Sequence, residues 1–266
     1  MSDSRLWVGG LLWIGAAAVI RRAFRAMDRR PAPAPDLGPD LLLGALAGIA
    51  IAQGVIAGII PRAIAGGPEQ FFAMNACLAG LGSALVVGSR RVGVGKEILG
   101  LTWPFVGRGV VCGVALYVLI LPGVLGLHAW NRDLIDQPDR IQRTMQMFLD
   151  RVAEGRPAIP FAMTVVLVVV VPMFEEVLFR GWLQSGLRAV LGGVTDGPGP
   201  AVISVVLTAV VFTAIHPSFT WLPILALGLV LGALFERTRS LWPCVALHGL
   251  HNAFTLWYPV LFPPDQ

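Results

Sequence analysis

The chain has 266 residues, of which 56% are hydrophobic and only 14% charged, against roughly 25% charged in a soluble domain. Apolar stretches near the ~20 residues needed to cross a bilayer recur along its whole length, which excludes a soluble globular domain and defines a multi-pass membrane protein. The net charge of +4 gives no reason to invoke nucleic acid, because nearly all the basic residues are arginines in connections between apolar runs, where membrane proteins keep cytoplasmic charge.

Eight spans are predicted in chain order: Leu6–Ile20, Leu41–Ile60, Phe71–Val87, Trp103–Leu127, Ile159–Leu187, Ala201–Ile215, Trp221–Phe235 and Leu241–Leu261. The first is short, and its Ala16-Ala17-Ala18 is compatible with signal cleavage. Five arginines between Arg21 and Arg30 follow it, however, while only Arg5 precedes it, the flank pattern of a retained anchor. PAPAP at residues 31–35 is a stiff linker. If every span crosses, Arg21–Arg30, Arg90, Arg91, Lys96, Arg188, Arg237 and Arg239 fall on one side, so both termini are expected outside the cytoplasm.

Cys77, Cys112 and Cys244 lie in apolar runs and read as small buried hydrophobes rather than a metal or disulfide set. Gly82-Ser83 would suit serine chemistry, but the small-residue run ACLAGLGSAL is better read as a close helix contact. In the long connection from His128 to Pro157, Ile141, Met145, Phe148, Leu149 and Val152 repeat at helical spacing. Arg140, Arg143, Asp150, Arg151 and Glu154 take the other face. This predicts an amphipathic helix near 138–154, on the membrane surface or packed over the spans. The domain reading is residues 1–157 for the N-terminal spans, loop and interfacial helix, and 158–266 for C-terminal spans carrying the chemistry.

That chemistry centres on VPMFEEVLFRGWL, Val171 to Leu183, where two carboxylates and an arginine sit inside an apolar run. Ionisable groups at membrane depth are costly and pair with one another or face a polar cavity. Glu176 and Arg180, four apart, lie within about 40° on a helix and can form an ion pair. Glu175 is about 140° away from Arg180 and lacks that partner, which casts Glu175 as candidate base and Glu176–Arg180 as scaffold. An ion or proton path is the competing reading, but it would suit a transporter, whose inverted repeat is absent here. Downstream, VVFTAIHPSF places His216 at a helix end before Pro217, and ALHGLHNAF places His248 and Asn252 four apart, with His251 near the same face.

EEVLFR (Glu175, Glu176, Arg180), FTAIH (Phe212, His216) and HGLHN (His248, Asn252) match, in order, the EExxxR, FxxxH and HxxxN/D pattern of the CPBP (CAAX protease and bacteriocin-processing, or Abi) intramembrane proteases. The protein resembles that family, including the type 2 CAAX prenyl proteases, from roughly Pro160 to Pro259. The resemblance implies an all-α transmembrane bundle with endopeptidase activity. It makes Glu175 the activator of water with help from His216, His248 and Asn252 the oxyanion donors, and Glu176 and Arg180 the support. Family members in eukaryotes act on prenylated C-termini, so a membrane-embedded or lipidated peptide at the bilayer is the expected partner, with oligomeric state left open. The Arg-, Ala-, Gly- and Pro-rich composition with a single lysine, Lys96, points to a bacterial plasma membrane. No cofactor is expected. With HExxH missing, zinc held by His216, His248, His251 and one glutamate is the alternative. One difficulty remains: these span bounds put His216 at the outer end of its helix and His248 nearer the inner end of its own.

Overall fold

A computed structural model describes residues 38–54, 67–89, 100–101, 106–135, 143–194 and 197–262. The predicted first span, the arginine run and the PAPAP linker lie outside these residues. Among the described residues there are eight helices and no strand: α1 (Gly38–Gly54), α2 (Pro68–Ser89), α3 (Val106–Ile135), α4 (Arg143–Ala153), α5 (Ala158–Gly192), α6 (Gly199–Ala214), α7 (Trp221–Thr238) and α8 (Leu241–Leu261). Of these, α2, α3, α5 and the Ser218–Thr238 segment containing α7 are long and apolar enough to cross a membrane, while α1 and α6 are apolar but shorter. Side chains that a soluble protein would bury point outward: Phe161 is 70% exposed and Val202 60%, as lipid-facing positions require. The protein is an all-helical membrane bundle.

The middle of α5 is its axis. Val177, Leu178, Phe179, Trp182 and Leu183 are buried against Leu41 and Ala45 of α1, Cys112 and Tyr117 of α3, Phe212 of α6, four α7 side chains and Leu247 of α8. Small residues let the backbones close. A Cβ on Gly113 would come 2.3 Å from the Pro243 carbonyl oxygen, and one on Gly249 2.3 Å from that of Val168, so α8 is wedged between α3 and α5. A Cβ on Gly82 would lie 1.9 Å from the Phe174 ring. The small-residue run of α2 is therefore a packing contact, directly behind the two glutamates.

Two departures from regular geometry flank the carboxylates. α5 widens into π-helical turns over Val166–Val170 and again over Val177–Gln184, and such turns are frequent at functional sites. In the first, the Val171 N–H bonds back to the Val166 oxygen. The next residue, Pro172, has no N–H, so the Leu167 oxygen receives nothing from it. The amide of Asn252 on α8 donates to that oxygen at 2.9 Å. In the second, the Ser185 hydroxyl donates to the Arg180 oxygen at 3.0 Å.

The expected amphipathic helix is α4. Phe148 is fully buried, and Met145, Leu149 and Val152 pack beside it against Phe71, Met163, Leu256 and Trp257. Arg151 pairs with Glu154 on the outer face at 2.8 Å. It is described over Arg143–Ala153, and the predicted start near 138 lies outside the described residues. The loop between α7 and α8 holds Arg239 in the left-handed region (φ 50°), paired with Glu236 at 3.0 Å. Burial lowers the Arg239 pKa, Glu236 pulls it back up, and Arg188 lowers it again.

Candidate active site

Glu176 and Arg180 have fully buried side chains and form the ion pair that their spacing predicts, Nη1 to Oε1 at 3.0 Å. Arg180 also reaches the Gly228 oxygen of α7 at 3.4 Å, and its guanidinium lies 4.8 Å from the centre of the Phe212 ring. The same Glu176 Oε1 accepts a second hydrogen bond, from His248 Nδ1 at 2.8 Å. Glu175 is placed differently. Its side chain keeps 23% of its exposure, and Oε2 lies 3.6 Å from His248 Nε2, beyond a direct hydrogen bond. One carboxylate is locked into the bundle and its neighbour faces open space.

That space is a cavity of about 400 Å³ lined by Glu175, His216, His248 and Asn252 together with His128, His251 and Thr144. His216 and His248 thus share a cavity despite the offset expected from their span positions. The physical reason is the length of α6. Its 16 residues rise about 24 Å, short of the ~30 Å hydrocarbon thickness, so a depth read from a full-length span does not apply to His216. Phe212 fills the gap between the two histidines, its ring 4.7 Å from that of His216 and 5.8 Å from that of His248.

The irregular stretch after His216 is tolerable there because its backbone is bonded to protein. Trp221 Nε1 donates to the His216 oxygen at 2.9 Å, and Asn131 Nδ2 donates to the Phe219 oxygen. His216 Nδ1 lies 2.7 Å from the Phe212 oxygen. A carbonyl can only accept, so Nδ1 carries the hydrogen and Nε2 is the acceptor of the neutral ring. The same reasoning puts the hydrogen of His248 on Nδ1, facing Glu176.

The surroundings of these side chains add detail to the roles that the resemblance implies. His248 is held between both glutamates rather than presented as a simple donor, and one Asn252 amide hydrogen is committed to Leu167. His251 turns away from the carboxylates, stacking on His128 of α3 with ring centres 5.8 Å apart. Among the described residues no three His, Cys, Asp or Glu side chains are grouped to hold a metal ion.

Sequence reasoning left out His128, which it placed where a span gives way to a loop. α3 continues to Ile135, and the position of His128, a lone histidine with no motif around it, offers no local signal.

Glu175 stands at a second junction as well. On its other side an apolar cleft runs between α1 and α2, lined by Ile49, Ala52, Leu78, Leu85 and Phe174. A carboxylate pair, one member buried and tethered and the other open to a histidine-lined cavity, therefore lies inside a helical membrane bundle. The family model described as type II CAAX prenyl endopeptidase Rce1-like matches residues 157–254, a span that holds all seven motif residues. Over those residues the chain is similar to that family, and the similarity suggests intramembrane endopeptidase activity. Neither a curated protein nor a solved structure matches the sequence.

Proposed function

We propose that this protein is an intramembrane endopeptidase that cleaves a lipidated or membrane-embedded peptide by glutamate-activated water, without a metal, in a bacterial plasma membrane. The observation that carries the reading is the asymmetry of the glutamates: Glu176 is bonded to both Arg180 and His248, while Glu175 keeps its carboxylate open to the cavity.

A water between Glu175 and His216 Nε2 gives its proton to Glu175 as its oxygen attacks the scissile carbonyl. The carbonyl oxygen gains negative charge and takes donors from the cavity wall. Asn252 supplies the amide hydrogen that Leu167 does not use. His248, held by the bond from its Nδ1–H to Glu176, turns its Nε2 edge to the same wall, and Glu176 and Arg180 keep it in place. Collapse of the tetrahedral intermediate breaks the C–N bond, and Glu175 returns the proton to the leaving amine.

Glu175→Gln tests this directly. The variant keeps the size of the side chain and loses the base, so cleavage of a farnesyl-cysteine peptide by purified protein should vanish while the melting temperature stays near that of the parent. Membranes carrying the variant should accumulate uncleaved precursors, which proteomics would identify. Persistent cleavage by Glu175→Gln removes Glu175 from the reaction.

A further inference from the structure

All four histidines of the sequence line the one cavity, and hydrolysis as proposed uses only His216 and His248. The other two form a unit of their own. The ring of His128, on α3, lies nearly parallel to that of His251, on α8, with 16° between planes. The edge of Tyr117 closes on His251 with ring centres 6.1 Å apart. His251 is only 3% exposed, and its Nδ1 has no hydrogen-bond partner in the protein. Buried polar atoms are normally satisfied, and a contact between two apolar helices has no need of imidazoles. Thr144 of α4 and Thr255 of α8 add hydroxyls to the same lining, and Glu175 is its acidic side chain. The cavity therefore carries a carboxylate on α5 and a histidine pair on the α3 side of α8.

We propose that His128 and His251 form a subsite for the free carboxylate at the C-terminus of the peptide being cleaved. The inference rests on the peptidase reading and adds to it that the scissile bond lies near the C-terminus of the substrate, so that the released fragment ends in a carboxylate. Inside a poorly hydrated cavity that group needs donors, and charge-assisted hydrogen bonds serve it best. Glu175 repels it and imidazole N–H groups attract it, so the polarity of the lining sets the direction in which the peptide lies. The scissile bond falls beside Glu175 and His248, and the terminus beside His128 and His251. A merely structural histidine pair would not distinguish an acid from an amide.

The test compares a farnesylated CAAX pentapeptide with its C-terminal amide on the full-length protein in nanodiscs. Wild-type protein should cleave the acid with kcat/KM at least about tenfold higher. In His251→Gln and His128→Gln the acid-to-amide ratio should fall toward one, with melting temperature reporting whether each variant is folded. A second arm needs no catalysis: the free aliphatic tripeptide acid should raise the wild-type melting temperature more than its amide, and the two variants should lose that difference. Equal treatment of acid and amide in wild-type protein, or a ratio preserved in both variants, overturns the subsite. If neither pentapeptide is cleaved, the tripeptide arm decides, and equal or absent binding of acid and amide overturns it. Failure of the peptidase chemistry reads out separately, as cleavage that survives Glu175→Gln while the preference for the acid remains.

Discussion

Removing the Arg180 side chain should cost this protein its stability before its chemistry. Arg180→Ala deletes the 3.0 Å ion pair to Glu176, the longer contact to the Gly228 oxygen and the stacking over Phe212. What remains is the decisive quantity: Glu176, fully buried, would keep His248 as its hydrogen-bond partner, since its Oε2 accepts nothing from the protein. Breaking a buried pair from one side costs about 3–5 kcal/mol, because the other charge is left uncompensated. For a protein of this size that corresponds to a fall in melting temperature of roughly 6–20 °C. Thermal unfolding in detergent measures it, with cleavage assayed well below the transition. The companion variant Arg180→Met with Glu176→Gln removes both charges and keeps the volume, and buried pairs replaced in this way are often as stable as before. It should recover most of the lost temperature. A single variant that melts with wild type, or a double variant no better than the single one, would refute the claim that the cost lies in the stranded carboxylate.

Asn252→Ala should lower kcat by about 10²–10³ with little change in KM, the loss expected for one oxyanion donor; steady-state kinetics showing a rise in KM alone would point to substrate binding instead. Gly249→Ala places a Cβ 2.3 Å from the Val168 oxygen. It should push α8 off α5 beside His248, destabilising by about 1–3 kcal/mol and reducing cleavage, so wild-type melting and activity would count against this packing. Chelators should leave cleavage intact. Elemental analysis finding stoichiometric zinc, whose removal ends activity and whose return restores it, would replace the metal-free mechanism.

The parts of this architecture that sequence makes legible are those set by local periodicity. Hydropathy marks the helices of the bundle because each must bury or expose an apolar surface over its own length. The i,i+4 spacing of Glu176 and Arg180 places them together because both stand on one helix. The α4 stripe of Met145, Phe148, Leu149 and Val152 marks its buried face for the same reason. What sequence leaves out depends on contacts between distant segments. His128 meets His251 only through the packing of α3 against α8. His216 meets His248 at one cavity through the packing of α6 and α8, which span boundaries alone do not show. The π-helical turns of α5 are likewise invisible to a 3.6-residue period, and they alter the angles that the period supplies for Glu175.

Asn252 shows how the two kinds of information combine. Pro172 lies three residues before Glu175 and withholds a backbone hydrogen just where α5 widens, so the Leu167 carbonyl has to be satisfied from outside its own helix. Asn252 does this with one amide hydrogen, while Gly249, three residues earlier on α8, lets the backbones approach closely enough for it to reach. Asn252 also lines the cavity, where His248, one helical turn away, is fixed by Glu176. The helix irregularity, the close glycine contact and the polar side chain are therefore one arrangement. A side chain whose position is already set by a backbone bond has little reorganisation left to undergo when charge develops beside it, and electrostatic catalysis in a membrane cavity depends on that condition. An aspartate, at home in the family pattern at this position, has no amide hydrogen for Leu167. In this protein, with proline at 172, asparagine is the residue that both segments require.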